Sequence, residues 1–105
     1  MGAMAGGTAY TASKHGVAGL INQLACEFAL HGVTVNGIAP GAVRTNIGRD
    51  LPEMPGMDDW VNSATPLGRW GDPEEIAQPA LFRASDAASF ITGTLLRVDA
   101  GWRSK

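Results

Sequence analysis

A chain of 105 residues makes at most one small domain, and 45% hydrophobic with 17% charged residues makes it globular rather than disordered. A formal net charge of −2 leaves no basic patch for nucleic acid, and the longest apolar runs are far short of a membrane span. The single cysteine, Cys26, excludes an internal disulfide, and no charged-then-apolar leader opens the chain, so a cytoplasmic location is expected.

Residues 1–8 are small and Gly-rich and read as loop. A helix is predicted over about 9–31, with Gly32 as its stop. Tyr10 and Lys14 lie four residues apart and share one helical face. Val17, Ile21, Leu24 and Phe28 continue that face at a period of 3.6, so the stripe is read as core-facing. Leu20, Leu30 and the alanines widen the apolar surface, and a helix with more than one apolar face needs more than one partner. Cys26, in the middle of this helix, is read as a small core or interface thiol. His15 and His31 are isolated from one another, and no metal site is expected.

Residues 33–39 read as a buried strand ended by Pro40-Gly41. A loop at a strand's carboxyl end, after a helix, is where α/β sheets bind ligands. Residues 48–71 are too long for a bare connector and carry Pro52, Pro55, Pro66, Met54, Met57, Trp60 and Trp70. Two readings fit: a lid over a small, partly apolar substrate, or a surface loop whose large side chains pack down. Asp72-Pro73-Glu74-Glu75 is a strong helix start, with Asp72 as cap, Pro73 in the first turn and Glu75 three after the cap. That helix is predicted to reach about Ala84, with Pro79 kinking it if interior. Residues 94–98 read as the last strand, and Arg97 interrupts its apolar run.

A lysine on a core-facing stripe is costly unless its charge is used or it snorkels to water. An ammonium beside a phenol favours the phenolate, which suits a general acid or base. The same spacing also fits a tyrosine packed at a helix start with a lysine reaching solvent. The surrounding string A-Y-T-A-S-K-H-G-V-A-G-L resembles the active-site helix of the short-chain dehydrogenase/reductase family, whose signature is Tyr-x-x-x-Lys. Val35-Asn36-Gly37-Ile38-Ala39-Pro40-Gly41-Ala42-Val43-Arg44-Thr45 resembles that family's strand and Pro-Gly turn. Pro66-Leu67-Gly68-Arg69-Trp70-Gly71-Asp72-Pro73-Glu74-Glu75-Ile76-Ala77 resembles its late loop and helix start. Residues 84–93 and Val98-Asp99-Ala100-Gly101-Trp102 resemble its closing segment. The four matches occur in the family's order. Arg83, beside Leu81 and Phe82, departs from the family pattern and suggests a wet face.

The resemblance implies an α/β fold: the C-terminal portion of a Rossmann-like, doubly wound parallel sheet, with residues 1–105 as a single partial domain. It implies NAD or NADP as cofactor and a small alcohol or ketone as substrate. Tyr10 is then the general acid/base. Lys14 would ease ionisation of the phenol and hold the nicotinamide ribose. Pro40, Gly41, Val43 and Thr45 would line the nicotinamide end; Thr45 taken alone reads equally well as a helix cap. The long helix would pair with its twin in a homo-oligomer. No Gly-rich phosphate loop follows a strand here, and none of the nine residues before Tyr10 is serine. The dinucleotide-binding half and the family's catalytic serine are thus expected to be absent, and the chain alone is expected to be catalytically incompetent. The rival reading is a non-catalytic oligomerising or interaction module. A remodelled small-ligand binder is a third, and it needs a closed apolar pocket.

Overall fold

The computed structural model describes residues 7–45 and 55–102. Helix α1 spans Gly7–Phe28 and runs into a short 3-10 turn at Ala29–His31. Gly32 ends it in a left-handed conformation (φ 73°), with its N–H donating to the Ala29 carbonyl, a geometry that costs glycine little and other residues more. Strand β1 spans Gly37–Pro40, α2 Met57–Ala64 and α3 Pro73–Ala84; a second 3-10 turn at Asp86–Ala88 leads to β2, Leu95–Val98. The two strands are parallel, with Gly37 opposite Leu95 and Pro40 opposite Val98. This is an α/β arrangement, as expected.

Strand β1 starts later than predicted and takes in Pro40. A proline can sit here because the ladder on that side uses the Gly41 N–H, which donates to the Val98 carbonyl at 3.0 Å. The stretch before β1 is held by side chains instead. The Val35 N–H donates to Thr92 Oγ1, and the Gly93 N–H donates to the Val35 carbonyl. Asn36 Nδ2 donates to the Ile91 carbonyl at 2.8 Å, while Asn36 Oδ1 accepts from the Thr94 hydroxyl at 2.9 Å. Arg83, half-buried on α3, donates through Nη1 to the same Thr94 hydroxyl. The departure at Arg83 is therefore part of a polar junction between α3 and the strands, not a wet face, although its Nε is buried without a partner.

Helix α1 packs on the sheet through Ile21 and Ala25, which are 9% and 4% exposed. Ile21 occupies the space that a Cβ on Gly37 would need, so glycine is required there for close packing, and Ala25 lies against Gly93. Gly93 is bonded to Val35, two residues before Gly37. Moving from Ala25 to Ile21 therefore follows the strands toward their carboxyl ends. The predicted stripe is only partly right. Leu24 is half-buried, but Tyr10 (55% exposed), Val17 (54%), Lys14 and Phe28 lie outside the core. Cys26 is exposed, not a core thiol. Two strands are too few to cover a 22-residue helix, and among the described residues its buried positions are Ile21 and Ala25, both in the C-terminal half.

The start of α3 follows the predicted chemistry. Asp72 caps it, Pro73 is its first residue, and Glu75 Oε1 accepts the Asp72 N–H. Pro79 is interior to α3, where it removes the bond that a residue would make to the Glu75 carbonyl. Of the predicted lid, Pro55, Met57, Trp60, Pro66 and Trp70 are described; Pro52 and Met54 lie outside the described residues.

Candidate active site

The Lys14 ammonium lies over the Tyr10 ring, 5.1 Å from its centroid. One turn of helix produces this approach: four residues bring the two side chains onto one face. Both residues are exposed. Ser13, between them, donates its hydroxyl to the Tyr10 carbonyl at 2.8 Å and so turns back onto its own helix.

Their height on the sheet follows from the contacts lower down. Lys14 stands seven residues from Ile21, about 10 Å of helix, and Pro40 stands three from Gly37, about 10 Å of strand. Tyr10 and Lys14 thus belong to the end of the molecule where the strands terminate, the end at which parallel sheets bind ligands.

The turn that follows β1 is tightly specified. Gly41 has no room for a side chain: a Cβ there would lie 2.8 Å from the Asp99 Cα. Val43 forms a parallel bridge with Gly71. That bridge uses the Ala42 carbonyl, which accepts from the Gly71 N–H at 2.9 Å, and the Arg44 N–H, which donates to the Gly71 carbonyl at 3.0 Å. The amide and carbonyl of Val43 itself therefore point away from Gly71, a donor and an acceptor side by side. Thr45 is exposed at the end of this turn.

Of the expected site residues, Tyr10 and Lys14 meet directly, and Gly41 and Val43 share one turn. Pro40 belongs to the strand below them. A cavity of about 270 Å³ opens beside this turn, lined by Val43, Leu67, Ile76, Val98, Asp99 and Ala100 among others. Tyr10 and Lys14 do not line it. The involvement of residues 99–101 was missed because Val98-Asp99-Ala100-Gly101-Trp102 shows no residue pattern of its own that points to a site. Arg44 was also missed. Its guanidinium stacks 5.2 Å from the Trp70 ring centroid and pairs loosely with Asp58 of α2 at 3.8 Å. An exposed pair of that length contributes little energy, and it marks where α2 approaches the turn.

A bidentate ion pair stands at the start of α3. Arg69 binds Glu75 through two bonds, 2.7 and 2.8 Å long. The guanidinium bonds and the Asp72 N–H together hold the Glu75 carboxyl well below its usual range, at about 2. Among the described residues no cluster of His, Cys, Asp and Glu is placed to hold a metal, and no helix is long and apolar enough to cross a membrane.

Comparison with known proteins bears on the family and the fold. Residues 1–103 match the family model described as enoyl-(acyl carrier protein) reductase. The chain is 43% identical over 94 residues to a 2,5-dichloro-2,5-cyclohexadiene-1,4-diol dehydrogenase of Sphingobium indicum, covering 89% of this chain and 38% of that protein. It is 41% identical over 97 residues to a 2-dehydro-3-deoxy-D-gluconate 5-dehydrogenase of Bacillus subtilis, covering 92% of this chain and 38% of that protein. Among solved structures it resembles a gluconate 5-dehydrogenase from Burkholderia cenocepacia in complex with NADP and tartrate. That match has 38% identity and a TM-score of 0.84, over 91% of this chain and 38% of that one. The chain thus spans about two fifths of the length of these relatives. The ordered motifs, the parallel β1–β2 pair and a match over nearly the whole chain establish that it belongs to the short-chain dehydrogenase/reductase family of oxidoreductases.

Proposed function

We propose that this chain carries the proton-transfer pair of an NAD(P)-dependent oxidoreductase interconverting an alcohol and a ketone. The observation that carries the reading is Lys14 over the Tyr10 ring, at the end of the molecule where the strands finish. The Tyr10 hydroxyl exchanges a proton with the substrate oxygen, and the adjacent Lys14 charge stabilises the phenolate as the proton leaves. When bound, the nicotinamide supplies or accepts the hydride. The outward amide and carbonyl of Val43 match the acceptor and donor of a carboxamide, so the turn fits the nicotinamide end of the cofactor. Pro40 and Gly41 set that turn, Thr45 adds a hydroxyl, and Lys14 reaches the adjoining ribose. The two curated relatives described above are named for a cyclic diol and a sugar acid, which supports a small hydroxylated substrate.

The chain by itself is expected to be silent and to bind NAD(P) weakly, since its sequence has no Gly-rich phosphate loop after a strand and no serine ahead of Tyr10. Both parts are tested together. In a chimera, this chain replaces the matching 38% of the Burkholderia dehydrogenase, and turnover is followed by reduced-nicotinamide absorbance. The chimera should be active, and Tyr10→Phe should reduce its rate by about 10²–10⁴-fold. Equal rates with Phe at position 10 overturn the assignment. Turnover by the 105-residue chain alone that vanishes with Tyr10→Phe overturns its expected silence.

A second reading, an oligomerising module without catalysis, is favoured by the exposed Val17, Leu20 and Phe28 on α1. Such a surface favours closed two-fold pairing of identical faces. Light scattering should report a mass above 10.9 kDa; a monodisperse species at that mass sinks the pairing.

A further inference from the structure

Helix α2 is bound to the rest of the molecule in an unusual way. Among the described residues no other helix or strand packs broadly against it, yet Val61 on it is only 2% exposed. Its attachments are to turns. The Trp60 and Trp102 rings meet edge to face, with centroids 5.4 Å apart and planes at 82°. Just beyond α2, the Leu67 N–H donates to the Ala100 carbonyl at 3.1 Å. Pro66 lies about 3.0 Å from where a Cβ on Gly101 would stand. The turn after β2 is sharply bent: Ala100 (φ 55°) and Gly101 (φ 82°) are both left-handed, and the Gly101 N–H donates to Asp99 Oδ1. At its other end, α2 reaches the residue after Val43 through the loose, exposed Asp58–Arg44 pair.

We propose that Trp102 is a positioning residue. In this view the C-terminal turn is a latch that holds α2 beside the nicotinamide-binding turn, with Thr65–Gly68 as the hinge. Gly68 is left-handed (φ 72°), and Thr65 caps α2 through its hydroxyl on the Val61 carbonyl, so the hinge is a defined turn next to a preserved helix. When the indole pair separates, α2 loses the aromatic contact that seats it among the described residues, and the Leu67–Ala100 bond is left exposed to water. The proposal deepens the oxidoreductase reading by naming what closes the segment next to its site.

The test reads α2 directly and does not depend on turnover, so it can fail while the oxidoreductase reading stands. Hydrogen exchange of the full chain is measured with the far-ultraviolet couplet of the two interacting indoles. Trp102→Ala should abolish the couplet and speed exchange at amides 61–65 up to about tenfold, the upper range of an edge-to-face pair. Amides of α1 and β1 should be unchanged. Trp102→Phe keeps an aromatic edge and should restore protection to within about twofold. Trp70→Phe, outside the pair, should keep the couplet. If Trp102→Ala loosens the whole fold, Trp60→Ala removes the other ring from the exposed side of α2 and should free the same amides alone. Unchanged protection of α2 in Trp102→Ala, or in Trp60→Ala when that variant is needed, overturns the latch. So does equal loss in Trp102→Phe.

Discussion

The two halves of α1 are built from the same kind of sequence and end in opposite environments. In the C-terminal half, Ile21 and Ala25 are pressed against Gly37 and Gly93 and form much of the core. In the N-terminal half, Val17 has the same apolar character and is more than half exposed, while Leu20, next to Ile21 in the C-terminal half, is exposed because it lies on a different face of the helix. Apolarity is equal; the partner is not. The sheet described here has two strands, and it reaches only as far up the helix as they extend. The exposed half is also the half that carries Tyr10 and Lys14. The proposed proton-transfer pair needs access to a substrate, whereas a packing pair needs none.

The sharpest way to break the comparison is to make matched truncations. Ile21→Ala should cost about 2–4 kcal/mol, because it opens a cavity against the strands. Chemical denaturation should show this as a lower midpoint with little change in slope. Val17→Ala, on the exposed half, should cost less than about 0.5 kcal/mol. A large effect at Val17 would mean that a second copy covers it in solution, and the effect should then depend on protein concentration.

The open end is not uniformly loose, and Gly41→Ala sharpens that point. The new methyl would strike the Asp99 backbone, which cannot rotate away. A loss of about 1–3 kcal/mol is expected, read as a fall in thermal midpoint. A neutral result would mean that the turn after β1 is free to shift, and that Val43 is not held in place.

A third contrast concerns pH. Glu75 is depressed to about 2 in the folded chain by Arg69 and the Asp72 amide. An unfolded glutamate titrates near 4.3. Its contribution to stability is therefore fully present above the unfolded value and is lost as pH falls from about 4.5 to about 2. The pair is exposed, so the effect should be modest. Glu75→Gln should flatten this acid limb in denaturation midpoints measured across pH, while Ile21→Ala should shift the whole profile without changing its shape.

Much of this molecule was legible in its sequence wherever the signal is local. The cap and first turn of α3 were read from Asp72-Pro73-Glu74-Glu75, because capping chemistry acts within four residues. Gly32 marked the end of α1 for the same reason, and the Tyr10–Lys14 approach follows from helix pitch alone. Order along the chain, from the Tyr-x-x-x-Lys string to the closing Val98–Trp102 segment, was enough to point to the family and its α/β fold.

Tertiary structure decided what depends on partners distant in sequence. A period of 3.6 draws a stripe from Tyr10 to Phe28, but only the position of the strands determines that burial centres on Ile21 and Ala25. Arg83 looked like a polar intrusion until Asn36 and Thr94, from two other segments, came within hydrogen-bonding range of each other and of its guanidinium. Trp60 and Trp102 are separated by more than forty residues, and nothing in either neighbourhood announces the other. Contacts of that separation are fixed by how the chain closes on itself, since burial and hydrogen bonding act between whatever groups the fold brings together, regardless of their spacing in sequence.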